Sequence, residues 1–273
     1  MAALVALALA EDLGAGDRTS EATVPEGARA RGRLLAKQDL VVCGLPLLPR
    51  VFERLAPVAY ELRAAEGDRV RPGELLATVD GGARTLLAGE RLVLNLIQHL
   101  CGIATLTRQY VERVAGTPLV VRDTRKTVPG MRVLAKYAVH VGGGCNHRMG
   151  LDDAILVKDN HLTLGGGDFD AAVHAARARF PALPLEVECR MLAEVERAVA
   201  AAPDLILLDN MSIDDLRAAV RLVAGRVPLE ASGGITLEQL TAVAATGVQY
   251  VAIGALTHSA PAADVSLKLE RLV

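Results

Sequence analysis

PLEVECRMLAEVERAVAAAPDLILLDNMSIDDLRAAVRLVAGRVPLEASGG, residues 184–234, repeats one phrase: an apolar run, a polar or glycine-bearing break, then an amphipathic stretch rich in alanine. The runs PLEVE (184–188), LILL (205–208), PLEA (228–231) and, beyond them, YVAI (250–253) start 21, 23 and 22 residues apart. That spacing suits repeated strand–helix units. Continuous apolar runs are also how buried parallel strands read. Upstream, PLVV (118–121) and AILV (154–157) extend the series to six. Helical stretches are expected from Phe169 to Phe180, Leu192 to Ala202, Asp214 to Val223 and Leu237 to Ala245. An α/β barrel, complete or short of eight strands, is the expected fold, with an open doubly wound sheet as the alternative.

Before this region the rhythm differs. Arg31 to Leu35, Leu40 to Cys43, Ala59 to Ala64 and Leu75 to Val79 read as short strands, broken by GD, RPG and DGG turns. EGDRVRPGELLATV (66–79) resembles the hammerhead of biotinyl and lipoyl carrier domains, but no lysine stands at its tip to carry a cofactor, so it reads as scaffold. From Glu90 to Val114 the period turns helical, with Leu96, Leu100, Ile103, Thr107, Val111 and Val114 on one stripe. This helix joins the two halves. The opening MAALVALALA lacks a positively charged start, so it reads as a helix ending near Leu13-Gly14 rather than a secretion signal.

Composition narrows the class. With 51% apolar and 23% charged residues the chain is of the soluble globular kind, and 273 residues can bury a substantial core. A net charge of -2 supplies no global field for nucleic acid or an anionic membrane, and neither is expected as a partner. No stretch offers the ~18 apolar residues of a membrane span. Cys43, Cys101, Cys145 and Cys189 lie far apart with no CxxC pair, which fits a reducing, cytoplasmic setting.

The chemistry sits at the ends of the apolar runs. PLVV gives way to Arg122-Asp123-Thr124-Arg125-Lys126, and AILV to Lys158-Asp159-Asn160-His161. Glu186 and Glu188 alternate within PLEVE, LILL leads to Asp209-Asn210, PLEA to Ser232-Gly233-Gly234, and YVAI to Gly254. In barrels of this kind the carboxyl ends of the strands form the active-site rim. Arg125, Lys126, His147, Arg148 and Lys158 supply cations suited to carboxylates and phosphates. Glu188 and Asp209 can hold ribose hydroxyls or magnesium, and the glycines can offer backbone N–H groups to phosphate. Two anionic partners and a sugar fit this set better than one small neutral substrate. Gly142–Gly144, just before Asn146-His147-Arg148, suggests close backbone approach. His161 reads equally as a loop cap or a catalytic group, His140 as a core histidine, and His99 as structural.

Together EDLGAGDRT (11–19), ERLVLNLIQHLCGIATLT (90–107), DTRKTVPGMRVLAKYAVHVGGGCNHRMGLDDAILVKDNH (123–161), LEVE (185–188), LLDNM (207–211), LEASGGI (229–235) and VAIGALTHS (251–259) resemble the quinolinate phosphoribosyltransferase family. The blocks occur in order and span almost the whole chain, with small departures at Val128, Met131, Cys101 and Cys145. The resemblance implies an N-terminal α/β sandwich domain with the linking helix over residues 1–102. An incomplete TIM-like α/β barrel would follow over 103–273.

It also implies a homodimer with shared active sites. Arg125, Lys126, His147 and Arg148, with Arg91 from the neighbouring subunit, would grip quinolinate. Lys158, Glu188, Asp209, Ser232, Gly233, Gly234 and Gly254 would hold phosphoribosyl diphosphate, Glu188 and Asp209 also serving Mg2+. Lys126, Lys158, Glu188 and Asp209 would be catalytic. The expected reaction makes nicotinate mononucleotide, diphosphate and carbon dioxide on the route to NAD. Retention of every one of these cations disfavours the related group associated with molybdenum uptake and a nicotinate-specific enzyme. The intact acids and bases disfavour a silent binding module.

Overall fold

The computed structural model describes residues 2–272. The chain opens with α1 (Ala2–Leu13), α2 (Arg18–Thr23), β1 (Arg29–Ala36), β2 (Leu40–Val41) and α3 (Leu47–Phe52). Next come β3 (Ala59–Leu62), β4 (Arg69–Val70), β5 (Leu75–Gly82) and the long α4 (Ala83–Arg113). Strand and helix then alternate: β6 (Val120–Arg122), α5 (Arg132–Val141), β7 (Ile155–Val157), α6 (Asp159–Leu164), α7 (Phe169–Arg179) and β8 (Leu185–Cys189). The series continues through α8 (Leu192–Ala201), β9 (Leu205–Asp209), α9 (Ile213–Val223), β10 (Leu229–Ser232) and α10 (Leu240–Ala244). It closes with β11 (Tyr250–Ala252), α11 (Ala255–His258) and β12 (Val265–Leu272).

The chain divides into two compact units. The first takes the chain up to Leu106, His140–Gly142 and the segment from Ala260 onward; the second takes Thr107–Val139 and Gly143–Ser259. In the first, four antiparallel strands lie in the order β12-β1-β5-β3. β1 alternates exposed arginines with buried Ala30, Gly32 and Leu34, the period-2 pattern of a sheet with one covered face. Arg31 forks onto Asp80 of β5 at 2.8 and 2.6 Å. β12 runs antiparallel along β1 from Ala36↔Val265 to Arg29↔Leu272.

Helix α4 starts at Ala83, ahead of the Glu90 expected from periodicity. Gly89 looks like a breaker in sequence, yet a Cβ there would stand 2.6 Å from a ring carbon of Phe52, so packing requires the glycine. His140 corrects a second expectation. It is exposed in the last turn of α5, because Leu134, Ala135, Ala138 and Val139 take the buried face.

All six apolar runs of the second unit are strands. They form one parallel sheet in the order β6-β11-β10-β9-β8-β7, with registers such as Glu188↔Leu207 and Ser232↔Asp209. Chain neighbours pair from β7 to β11, β6 returns beside β11, and β6 and β7 are not paired with each other. The result is a TIM-like barrel left open on one side, as an α/β fold of this spacing permits. At the open side a single parallel bridge joins Arg122 to Cys145. Leu185, Val187, Ile206 and Leu208 are wholly buried, and each contributes about 2 kcal/mol relative to exposure. Ser212 and Asp168 cap α9 and α7 by accepting from Asp215 N and Ala171 N. No helix among the described residues is long and apolar enough to cross a membrane.

Candidate active site

Successive residues of a strand point to opposite faces, so in β8 Glu186 and Glu188 lie opposite Leu185, Val187 and Cys189. Where such strands end, backbone hydrogen bonding stops and polar side chains become available. In the second unit these ends surround a cavity of ≈ 500 Å3. Arg125, Lys126, His147, Arg148, Lys158, Glu188, Asp209, Ser232, Gly233 and Gly234 all line it, drawn into one place from between residues 125 and 234.

Cations crowd one side. Arg125 and Lys126 follow β6, and His147 and Arg148 follow the bridge residue Cys145. Arg125 Nε is buried without a hydrogen-bond partner, a donor suited to an anionic ligand. Burial, then the nearby Arg125 charge, lowers the Arg148 pKa. Arg148 Nη1 donates to Ala154 O at 2.7 Å. The His147 ring is only 9% exposed, with Nε2 at 2.9 Å from Glu186 Oε2 and 3.4 Å from Glu230 Oε1. Burial works against its positive charge, but those two carboxylates prevail and push its pKa up to about 9. The Arg148 N–H, donating to Nδ1 at 2.7 Å, favours the neutral ring instead. Either way the shared proton sits on Nε2.

Behind this wall lies a fully buried ion pair, Asp123 with Lys136 of α5. Burial pushes the Asp123 carboxyl up and the Lys136 ammonium down, and their mutual attraction pulls each back. Arg122 Nη1 donates to the buried Glu230 at 2.7 Å.

Acids and glycines hold the other side. Lys158 Nζ donates to Glu188 Oε2 at 2.6 Å, the cation reaching across from β7 to β8. Asp209 Oδ2 accepts from Asn210 Nδ2 at 2.7 Å. Gly233 and Gly234 both have positive φ, +98° and +60°, a left-handed conformation that favours glycine. A Cβ on Gly233 would stand 2.3 Å from Asn210 Oδ1, whereas one on Gly234 would meet nothing within 4 Å.

Two expected residues are not among those lining the cavity. Gly254 instead provides clearance: a Cβ there would come within 3.1 Å of Lys126 Cδ. Arg91 is exposed on α4, in the first unit. Conversely, Glu230 and Asn210 line the cavity, though the sequence assigned no role to Asn210 and did not single out Glu230. A glutamate inside the apolar run PLEA and an asparagine before a strained turn (Asn210 φ is +56°) were the available signals. His161 caps α6, its Nδ1 accepting from Lys158 N at 3.0 Å.

His147, Glu186 and Glu230 offer three ligand atoms within 4.8 Å of one another. The 2.9 Å Nε2–Oε2 spacing is a hydrogen bond, and Arg122 already neutralises Glu230, so the trio shares a proton rather than caging a cation.

Residues 17–101 match the quinolinate phosphoribosyl transferase N-terminal domain, and residues 103–268 match its C-terminal domain. The nicotinate-nucleotide pyrophosphorylase (carboxylating) of Mycobacterium leprae is 45% identical over 269 residues, covering 96% of this chain and 94% of its own. The probable enzyme of the same name from Synechocystis is 44% identical over 268 residues, covering 96% and 90%. The crystal structure of nicotinate-nucleotide pyrophosphorylase from Ehrlichia chaffeensis superposes with a TM-score of 0.95 at 38% identity, covering 99% and 98%. With both of its domains matched, and with full-length relatives sharing two residues in five or more, this chain belongs to the quinolinate phosphoribosyltransferase family.

Proposed function

We propose that this chain joins quinolinate to phosphoribosyl diphosphate, releasing diphosphate and carbon dioxide and leaving nicotinate mononucleotide for NAD synthesis. One observation carries the reading. A single cavity sets four cations from two neighbouring loops against two carboxylates and the Gly233-Gly234 turn from the strand ends opposite.

Arg125, Lys126, His147 and Arg148 neutralise a planar dicarboxylate, so two polyanions can occupy one pocket. Ser232-Gly233-Gly234 hold phosphate through backbone N–H groups, and Glu188 and Asp209 hold ribose hydroxyls. The ring nitrogen then attacks the anomeric carbon as its bond to diphosphate breaks, with positive charge developing on the sugar. Lys158 and Glu188, both facing the cavity, stabilise opposite partial charges in that step. The alkylated ring nitrogen is cationic, so the adjacent carboxylate departs as carbon dioxide and its electron pair is held beside that charge until a proton arrives. No enzyme nucleophile is required, and the chain's contribution is positioning and electrostatics.

Magnesium fits the acidic side, because Glu188 and Asp209 are hard oxygen donors on adjacent strands. When bound it would screen the charge of the departing diphosphate. The reading extends to a homodimer in which Arg91, exposed on α4, completes the site of the other copy. The deciding experiment supplies purified protein with quinolinate, phosphoribosyl diphosphate and magnesium, and follows carbon dioxide and nicotinate mononucleotide together. Equal amounts of both are expected; neither product appearing would sink the proposal.

A further inference from the structure

Four cations gathered in one cavity repel one another, and long side chains splay apart unless the backbone beneath them is fixed. Here they hang from two separate segments, Arg125 and Lys126 after β6 and His147 and Arg148 after Cys145. The Asp123–Lys136 pair, both side chains 0% exposed, ties those segments together. Asp123 directly precedes Thr124-Arg125-Lys126, and its Oδ1 accepts from the His147 N–H at 2.8 Å. Lys136 Nζ donates to the His147 carbonyl at 2.9 Å. With its amide oriented so that nitrogen faces the two acceptors, Asn146 donates to Asp123 Oδ2 at 2.8 Å and to the Lys136 carbonyl at 2.9 Å. The backbone continues the seam, with Asp123 N donating to Cys145 O at 3.1 Å and Cys145 N to Val121 O at 2.8 Å. The N–H and the carbonyl of His147 are thus both held by the Asp123–Lys136 pair.

We infer that Asp123 and Lys136 are positioning residues for the dicarboxylate half of the site, locking its two cation-bearing loops in register. Neither lines the cavity, so they act through Arg125, Lys126, His147 and Arg148. The inference rests on the reading of those cations as the quinolinate grip. A buried ion pair is not in itself a strong source of stability, since well-packed apolar groups often replace one without loss. What this pair adds is the hold on His147. Its hydrogen bonds do not reach Glu188, Asp209 or Ser232, which stand on β8, β9 and β10.

The prediction is therefore an asymmetric kinetic effect. In the double variant Asp123→Asn/Lys136→Met, which removes both buried charges, KM for quinolinate should rise about 10- to 100-fold, while KM for phosphoribosyl diphosphate stays within about twofold. Asn146→Ala loosens the same junction at an exposed position without burying an unpaired charge, and should shift KM in the same direction by less. Titration calorimetry with quinolinate gives the affinity loss independently of turnover. Unchanged quinolinate KM in both variants, or an equal rise in both KM values, overturns the inference while leaving the proposed reaction intact. Wild-type protein that makes no product from quinolinate overturns the reaction first, and the inference with it.

Discussion

Replacing Glu186 by glutamine keeps the shape of the side chain beside His147 and removes one of the two carboxylates that face the ring. His147 is raised from an ordinary 6.5 to about 9 against the opposing effect of burial. At 1.36 kcal/mol per unit, that shift corresponds to about 3 kcal/mol of coupling between the ring's proton and the folded state. The Arg148 N–H directed at Nδ1 makes this a ceiling. The sign follows from the direction. A group whose pKa rises on folding adds stability that is complete below its unfolded value and is lost as pH climbs through its folded one. Stability should therefore fall between pH 6.5 and about 9, by at most about 3 kcal/mol. Glu186→Gln should return His147 toward the ordinary histidine range and flatten that slope. Urea unfolding at several pH values, with NMR titration of the His147 ring, measures both quantities. An identical pH slope in the variant, or a wild-type ring that titrates below 6.5, would refute the reasoning.

Arg125→Ala should sharply weaken the use of quinolinate while thermal unfolding stays near wild type, because the loss is a cavity cation rather than a packed core group; normal quinolinate turnover would count against the assigned pocket. Gly233→Ala places a Cβ 2.3 Å from Asn210 Oδ1 at a φ of +98°, so the turn must distort at a cost of about 1–3 kcal/mol. Its expected signature is a raised KM for phosphoribosyl diphosphate, and an unaltered KM would remove that turn from the binding site. Inactive Arg91→Ala and Lys158→Ala proteins, mixed and allowed to exchange subunits, should regain activity through hybrid dimers that carry one intact site. Absence of recovery after confirmed exchange would leave the shared site without support.

The barrel strands were legible because each is buried on both faces, so its apolar run is uninterrupted and the period of about 22 residues shows through (starts at 184, 205, 228 and 250). Residues placed by strand ends were legible for the same reason: Lys158, Glu188, Asp209 and Ser232 each stand in or just after a run. What sequence could not supply was anything decided across the sheet. Glu230 belongs to the site because Arg122 and His147 meet it from elsewhere, and nothing local in PLEA shows that. The clearance that Gly254 gives Lys126 was hidden for a similar reason, since Lys126 approaches it from a distant part of the sequence. The start of α4 was hidden by Gly89, whose cause lies in Phe52.

The open side of the barrel explains how so many cations enter it. Were β6 and β7 paired, the strands would close on themselves and their backbone groups would be fully engaged with each other. Instead the segment after α5 lies against β6, where Cys145 takes the bridge to Arg122 that a strand partner would take. Gly144 makes the approach possible, because a Cβ there would come within 2.9 Å of both Thr107 and Val139. Two residues beyond Cys145 the chain is inside, with the His147 ring between Glu186 and Glu230 and Arg148 beside Arg125. A complete eight-stranded barrel would fill that interior with layers of apolar side chains. Leaving it incomplete admits a loop that carries its own charges, and the buried carboxylates of β8 and β10 are what make their presence there tolerable.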